Sequence, residues 1–339
     1  MKPVILSLLL LLACLILSPR LAAADPLNDE QVAIAAERNG DRDTALTLYQ
    51  SALAGYGSAG QHTEAARVAQ SLMLLQISMG DIADAMASSE QARSMLVEAG
   101  RSDAAAQLAG MLASLLKARS EYGLAEDSYL AALAIHRGSG NRVSEAGTLM
   151  SLGVLAELME KPQRSAEYYE EAGEVYLDLG DERGLMHSYT NAGQARLEAD
   201  DPRAAEQAFR QALFLCGKLD DPHSCVAQQL GLSQALRLMQ RHAEALEAIA
   251  ACLELLQERP DDLLRARTLL EQGRVLAGGE DPQQALQVLE EAWQLFGREA
   301  RQEEQAAMAT ELIEAAQAAG RSDLAARYRQ LRSELNVSS

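Results

Sequence analysis

Apolar residues along this chain follow a helical period in one segment after another. In one such segment Leu149, Leu152 and Leu155 recur three positions apart, so they share one face of a helix. The segments run for sixteen to eighteen residues between polar turns, and none alternates apolar and polar residues as a strand does. The pattern therefore predicts an all-α chain of sixteen helices in about eight antiparallel hairpins, with a first helix from about residue 27 to 39.

Turn signals punctuate the chain about every twenty residues. Glycine just past a helix adopts the left-handed conformation that caps a C-terminus. Asp followed by Pro supplies an N-cap oxygen and a first helical residue whose φ is already set. The signals are Gly40-Asp41, Gly60, Gly80-Asp81, Gly100, Gly140-Asn141, Lys161-Pro162, Gly180-Asp181, Asp200-Asp201-Pro202, Asp220-Asp221-Pro222, Pro260-Asp261, Gly279-Glu280-Asp281-Pro282 and Gly320.

A forty-residue period runs through nearly the whole chain. Three registers carry it: a small residue, a bulky residue four positions later, and a second small residue three positions after that. A fixed period of this size is typical of stacked supersecondary units, none of which buries its apolar face alone. The registers hold Ala45, Ala85, Ala125, Ser165, Ala205, Ala245, Ala285 and Ala325; Tyr49, Ser89, Tyr129, Tyr169, Phe209, Ile249 and Leu289; and Ala52, Ala92, Ala132, Ala172, Ala212, Cys252 and Ala292.

This pattern resembles the tetratricopeptide repeat, in its long-helix variety with a forty-residue period. In that family the first helix of each hairpin carries a Leu-Gly pair, as Leu152-Gly153 does here, and the second carries the small-x3-aromatic-x2-Ala pattern. The resemblance spans about residues 27 to 335 and implies a right-handed superhelical solenoid, here assigned to residues 25–335. Ser89, Met73 and Ile313 depart from the pattern. Arg329 and Arg332 fit a polar helix that ends the stack.

The first twenty-four residues differ from the rest. Lys2, an apolar run over residues 4–17 and a small-residue stretch ending at Ala24 are typical of a secretory signal peptide, and the run is short for a membrane span. We expect cleavage after Ala24 and a periplasmic or secreted protein, with no membrane insertion of the mature chain. The alternative is a lipid anchor on Cys14. Residues 336–339 are predicted to form a C-terminal tail.

The net charge of −19 excludes some classes of partner. Loss of residues 1–24 removes Lys2 and Arg20 and no acidic residue, which brings the charge to −21. Nucleic acid and anionic lipid surfaces are poor partners for such a chain, because contacts with phosphate depend on basic residues.

The three cysteines beyond the signal fall at two kinds of position. Cys216 and Cys225 flank one turn, so an oxidising compartment permits a disulfide between them; the alternative is two small residues packed between helices. Cys252 occupies an alanine register and is expected to be a buried free thiol.

No catalytic or metal-binding pattern rises above background in the sequence. The five histidines are scattered without ligand spacing, and no glycine-rich phosphate loop is followed by lysine. The paired aspartates fall at helix starts, where capping explains them. We therefore expect a protein that is not an enzyme and holds no cofactor or metal.

The resemblance implies a concave groove lined by the first helices of the hairpins, where a protein or peptide partner binds. Three arginines there could hold a partner's carboxylates; the alternative is that they pair with neighbouring acids such as Glu271. A second hypothesis gives the chain a structural or self-associating role in an envelope complex, through its convex face or its ends. The candidate groove residues are His187, Asn191, Gln194, Gln234, Arg237, Arg267, Glu271 and Arg274.

Overall fold

A computed structural model describes residues 25–279, 281–299 and 301–337. The signal peptide predicted over residues 1–24, with its cleavage site and Cys14, lies outside these ranges. Every regular element in the described ranges is an α-helix, and there are sixteen. They are α1 Pro26–Arg38, α2 Arg42–Ser58, α3 His62–Met79, α4 Ile82–Glu98, α5 Ser102–Ala118, α6 Tyr122–Ser139, α7 Arg142–Leu158, α8 Pro162–Leu179, α9 Glu182–Glu198, α10 Pro202–Lys218, α11 Pro222–Leu238, α12 His242–Glu258, α13 Asp262–Ala277, α14 Pro282–Arg298, α15 Gln302–Ala318 and α16 Ser322–Val337.

The chain divides into two compact units, residues 1–148 and 149–339, and the boundary falls within α7. Within unit 1, each helix from α1 to α6 packs on the next along the chain. Within unit 2, the helices from α8 to α16 do the same. The predicted all-α solenoid of helical hairpins is confirmed, and odd-numbered helices are the first members of the hairpins.

Local sequence explains where most of the helices begin. The side chain of Asp201 accepts a hydrogen bond from the Ala204 N–H at 3.1 Å, and Pro202 follows it as the first helical residue. The same arrangement of Asp and Pro opens α11 and α14.

Most of the described turns between helices contain one residue in the left-handed conformation. Gly40 has φ +79°, and the next N–H, of Asp41, donates to the Ala36 carbonyl at 2.9 Å. Two turns without Gly, Pro or paired Asp use the same geometry: φ is +63° at Ser120 and +59° at Gln240. The sequence analysis gave no signal at these two turns, because hairpin packing imposes a backbone conformation there that their residues do not favour.

The repeat registers form the core. Ala45, Ala205 and Ala285 are fully buried, which allows helix backbones to approach closely. Opposite them, the bulky register fills space left by glycine: a Cβ added to Gly153 would lie 2.5 Å from the Tyr169 ring. Close approaches of the same kind join Gly193 and Gly231 to Phe209 and Gly273 to Leu289.

In the second hairpin, the large side chain and the small one exchange positions between the two helices. Met73 stands where Gly153 stands two hairpins later, and Ser89 stands where Tyr169 does; both Met73 and Ser89 are buried. The large side chain has moved from the second helix to the first, which keeps the core filled. This exchange explains the two departures from the repeat pattern as one change.

Candidate functional site

The candidate surface of unit 2 is built by its first helices. Helix α9 contacts α11, α11 contacts α13, and α13 contacts α15, although a second helix separates each pair in sequence. Side chains on these four helices therefore form one continuous face, which we call the first-helix surface. All eight predicted groove residues lie on α9, α11 and α13.

The predicted residues differ in how far they reach solvent. His187, Gln194 and Arg267 are exposed, and no ion pair within 4 Å is found for Arg267 in the part of the chain that the structure describes. The Gln194 amide donates to Glu198 at 3.2 Å. Half-buried members are Asn191, Gln234, Arg237 and Arg274, and Glu271 is fully buried.

Two of the three arginines pair with acidic residues of the chain itself. Arg237 Nε donates to Glu271 Oε1 at 2.6 Å, across from α11 to α13. Arg274 donates through Nε and Nη2 to Glu311 Oε1 at 3.0 and 2.8 Å, across from α13 to α15. Its Nη1 also lies 3.6 Å from Glu271 Oε2. This network corresponds to the alternative in which the arginines pair with neighbouring acids.

Glu271 is the centre of that network. It is only 1 % exposed, and burial raises the pKa of its carboxyl while the hydrogen bond and charge of Arg237 oppose that rise. Removing one partner of a buried pair costs about 3–5 kcal/mol, because the other charge is left uncompensated. Arg237 and Glu271 therefore tie neighbouring hairpins together, and neither is free to be replaced without a loss of stability.

A cavity of about 380 Å³ opens on the first-helix surface beside this network. Its polar side chains are Arg237, Arg274, Glu311 and Glu314, and its apolar wall comes from α13, α14 and α15. The wall consists of Gly273, Ala277, Pro282, Ala285, Leu289, Ala315 and Ala318.

The sequence analysis named the two arginines of this cavity and missed Glu311 and Glu314. A signal for Glu311 was present, because it follows Glu271 by one forty-residue period and so occupies the same position on the next first helix.

Comparison with known sequences identifies the repeats. The sequence profile of the tetratricopeptide repeat family matches residues 226–296, which run from α11 into α14. This segment of the chain is therefore similar to tetratricopeptide repeats. A search of curated protein sequences finds no match.

Solved structures share the fold of this repeat protein at low sequence identity. The apo form of RapI aligns with a TM-score of 0.59 at 12% identity, covering 92% of this chain and 97% of RapI. The quorum sensor NprR from B. thuringiensis aligns with a TM-score of 0.53 at 14% identity, covering 91% of this chain and 87% of NprR. A signal transduction ATPase with a tetratricopeptide repeat sensor, from Pyrococcus horikoshii, aligns with a TM-score of 0.54 at 14% identity. The alignment covers 83% of this chain and 43% of the ATPase. These similarities establish the fold.

Unit 1 of the repeat protein carries a smaller version of the same polar network. Arg67 on α3 donates to Glu30 on α1 at 2.7 Å, and Glu30 is buried and also accepts from the Tyr56 hydroxyl at 3.1 Å. A cavity of about 430 Å³ beside Arg67 is lined by Gln70 and Gln107 among others. An arginine on a first helix again binds an acid on the neighbouring first helix.

The cysteines of the repeat protein occupy the positions that the sequence analysis singled out. Cys216 and Cys225 are joined by a disulfide across the turn between α10 and α11, with Cα atoms 5.4 Å apart. Cys252 is a fully buried free thiol, and burial raises its pKa to about 12. A thiol so protected from water and so weakly ionised is a poor nucleophile.

Among the described residues, no group of three or more His, Cys, Asp or Glu side chains is placed to hold a metal ion. None of the helices in the described ranges combines the length and the apolar character needed to span a bilayer.

Proposed function

We propose that this protein is an exported, non-catalytic scaffold that binds a protein or peptide partner on the first-helix surface of its repeats. The repeat family and fold support a role in protein interaction. The observation that carries the proposal is the cavity of about 380 Å³ on that surface, which combines an apolar wall with charged side chains. Sites that bind ligands usually have this composition.

Export is supported by two features. Residues 1–24 have the charge, apolar run and small-residue site of a signal peptide. The disulfide between Cys216 and Cys225 suits an oxidising compartment, since disulfides are rare where thiols are kept reduced. We propose a periplasmic location after cleavage at Ala24, with a lipid anchor on Cys14 as the alternative.

The test is site-specific photo-crosslinking in the cell that makes the protein. A photoreactive amino acid replaces Gln194 or Arg267, both exposed on the first-helix surface and outside the buried ion pairs. Charge reversal of Arg237 or Arg274 would be a poor test, because it would place like charges beside buried Glu271. We expect one partner to be crosslinked from both positions and identified by mass spectrometry.

The matched controls lie on second helices. Phe214 on α10 is 70 % exposed and Leu177 on α8 is 61 % exposed. Crosslinks only from these two positions would indicate that the partner contacts the second helices, and would support the structural or self-associating role instead. Phe214 is the residue that such a contact would cover, because its ring is a large apolar side chain exposed on a second helix.

A further inference from the structure

We infer that the cavity beside Arg274 accepts a basic side chain, lysine or arginine, from the bound partner. The inference rests on the proposed function, because it names what the partner places on the first-helix surface. It also reverses the expectation that the arginines of this surface hold carboxylates of the partner.

The two arginines of the cavity are already bound to acids of the chain. Arg237 already binds Glu271 at 2.6 Å, and Arg274 binds Glu311 through two nitrogens at 2.8 and 3.0 Å. An incoming carboxylate would have to displace an acid of the protein itself, one of which is 1 % exposed. Both arginines are therefore committed to the fold, and little positive charge is left for an anionic partner.

The arginines leave negative charge in the cavity that they do not neutralise. Glu314 lines the cavity and is exposed, and no ion pair within 4 Å is found for it in the described part of the chain. Glu311 Oε2 is buried without a hydrogen-bond donor, although Oε1 of the same carboxylate accepts twice. The lining holds two carboxylates, Glu311 and Glu314, and two guanidinium groups, which already bind Glu271 and Glu311. The carboxylate of Glu314 is therefore the one that a cationic donor entering the cavity can reach, and a charge-assisted hydrogen bond to it would be stabilising.

The lining and volume of the cavity also suit a basic side chain. The rest of the cavity lining is apolar, with Ala277, Pro282 and Leu289 from α13 and α14, and Ala315 and Ala318 from the same helix as Glu311 and Glu314. Lysine and arginine carry an aliphatic stem that packs on such a surface while the charged end reaches polar groups. The volume of about 380 Å³ lies at the small end for ligand pockets and suits one long side chain. The chain's net charge of −19 would attract a basic segment at long range.

The test uses three pentapeptides with acetylated and amidated ends, identical except for a central lysine, norleucine or glutamate. Norleucine keeps a linear aliphatic stem without the charge. Binding to the purified full chain is followed through labelled methyl groups of Ala315, Ala318 and Leu289. We expect the lysine peptide to shift these methyls and to bind roughly tenfold more tightly than the other two, as one charge-assisted hydrogen bond provides.

Three variants locate the effect. Glu311→Gln and Glu314→Gln should each reduce the preference for lysine, whereas Glu303→Gln, exposed at the start of the same helix, should leave it unchanged. Tighter binding of the glutamate peptide, or no methyl shift with the lysine peptide, would overturn the inference. A crosslinked partner that reaches this surface without a basic residue would overturn it too, while leaving the proposed function intact. Crosslinks from second helices alone would refute the proposed function itself.

Discussion

The interlock between Gly153 and the Tyr169 ring gives a sharp prediction about stability. A Cβ on Gly153 would lie 2.5 Å from Tyr169 Cε1 and 2.7 Å from Cδ1 and Cζ. The ring is 1 % exposed, and its hydroxyl donates to Glu157 Oε1 at 2.9 Å, so the ring moves away only by giving up that bond. We therefore expect Gly153→Ala to destabilise the protein.

The magnitude follows from a matched control on the same helix. Gly147 also lies in α7, and a Cβ there would meet no heavy atom within 4 Å. Replacing a helical glycine with alanine gains about 1 kcal/mol at either position. Over-packing then costs about 1–3 kcal/mol at Gly153 alone. Gly147→Ala should be about 1 kcal/mol more stable than the parent, and Gly153→Ala about 1–3 kcal/mol less stable than Gly147→Ala.

The assay is urea unfolding followed by far-UV circular dichroism, with the midpoint and slope compared among the variants. The second hairpin supplies a rescue, because it pairs Met73 with a serine in the bulky register. In a Tyr169→Ser background, Gly153→Ala should lose its penalty, and the double-mutant cycle should show a favourable coupling. Equal stability of Gly147→Ala and Gly153→Ala would refute the reasoning, as would a penalty that persists beside Ser at position 169.

Three further predictions concern cysteines, a turn and a buried histidine. A thiol reagent should leave Cys252 unmodified in the folded protein and modify it in urea. Reduction should release two further reactive thiols, those of Cys216 and Cys225, and reaction of these two without reductant would disprove the disulfide. Gln240→Gly should stabilise the protein by about 1 kcal/mol in urea unfolding, because φ there is +59°; a loss of stability would contradict the strain argument. Burial lowers the pKa of His136 below its usual 6.5. The folded state then binds the proton less readily than the unfolded state, so stability falls as pH drops below about 6.5, by at most about 1.4 kcal/mol per pH unit. His136→Gln should lose less stability between pH 7.5 and 5.5 than the parent, and an equal loss would show that His136 does not titrate in this way.

The sequence predicts the helices well because the period carries redundant information. Each hairpin repeats the same small residues, so Ala45, Ala205 and Ala285 all indicate where two helices touch, and all are buried. Turns follow from glycine or from Asp-Pro wherever those residues occur. Near Ser120 and Gln240 the spacing of the helices predicts a turn although the turn residues give no signal, because there the packing of the two helices fixes the backbone.

The candidate site was predicted less well because ion pairs depend on which way a side chain turns. Arg237 faces Glu271 thirty-four residues later, and Arg274 faces Glu311 thirty-seven residues later. Both separations are slightly shorter than the forty-residue period. Residues at such a separation lie close together on neighbouring first helices. Arg67 and Glu30 in unit 1 also lie thirty-seven residues apart. A search for acids and arginines at this spacing would have found all three pairs.

These pairs explain how Arg237 and Arg274, two arginines of the first-helix surface, are neutralised by acids of the chain itself. The stability of a repeat protein depends on contacts between neighbouring repeats, so an arginine that joins two first helices stabilises the packing of those repeats. Arg237 and Arg274 do this in unit 2, and Arg67 does it in unit 1. Because Arg237 and Arg274 bind acids one hairpin away, the unpaired charge of the unit 2 cavity is that of Glu314. A basic residue of the partner is the group that complements this charge.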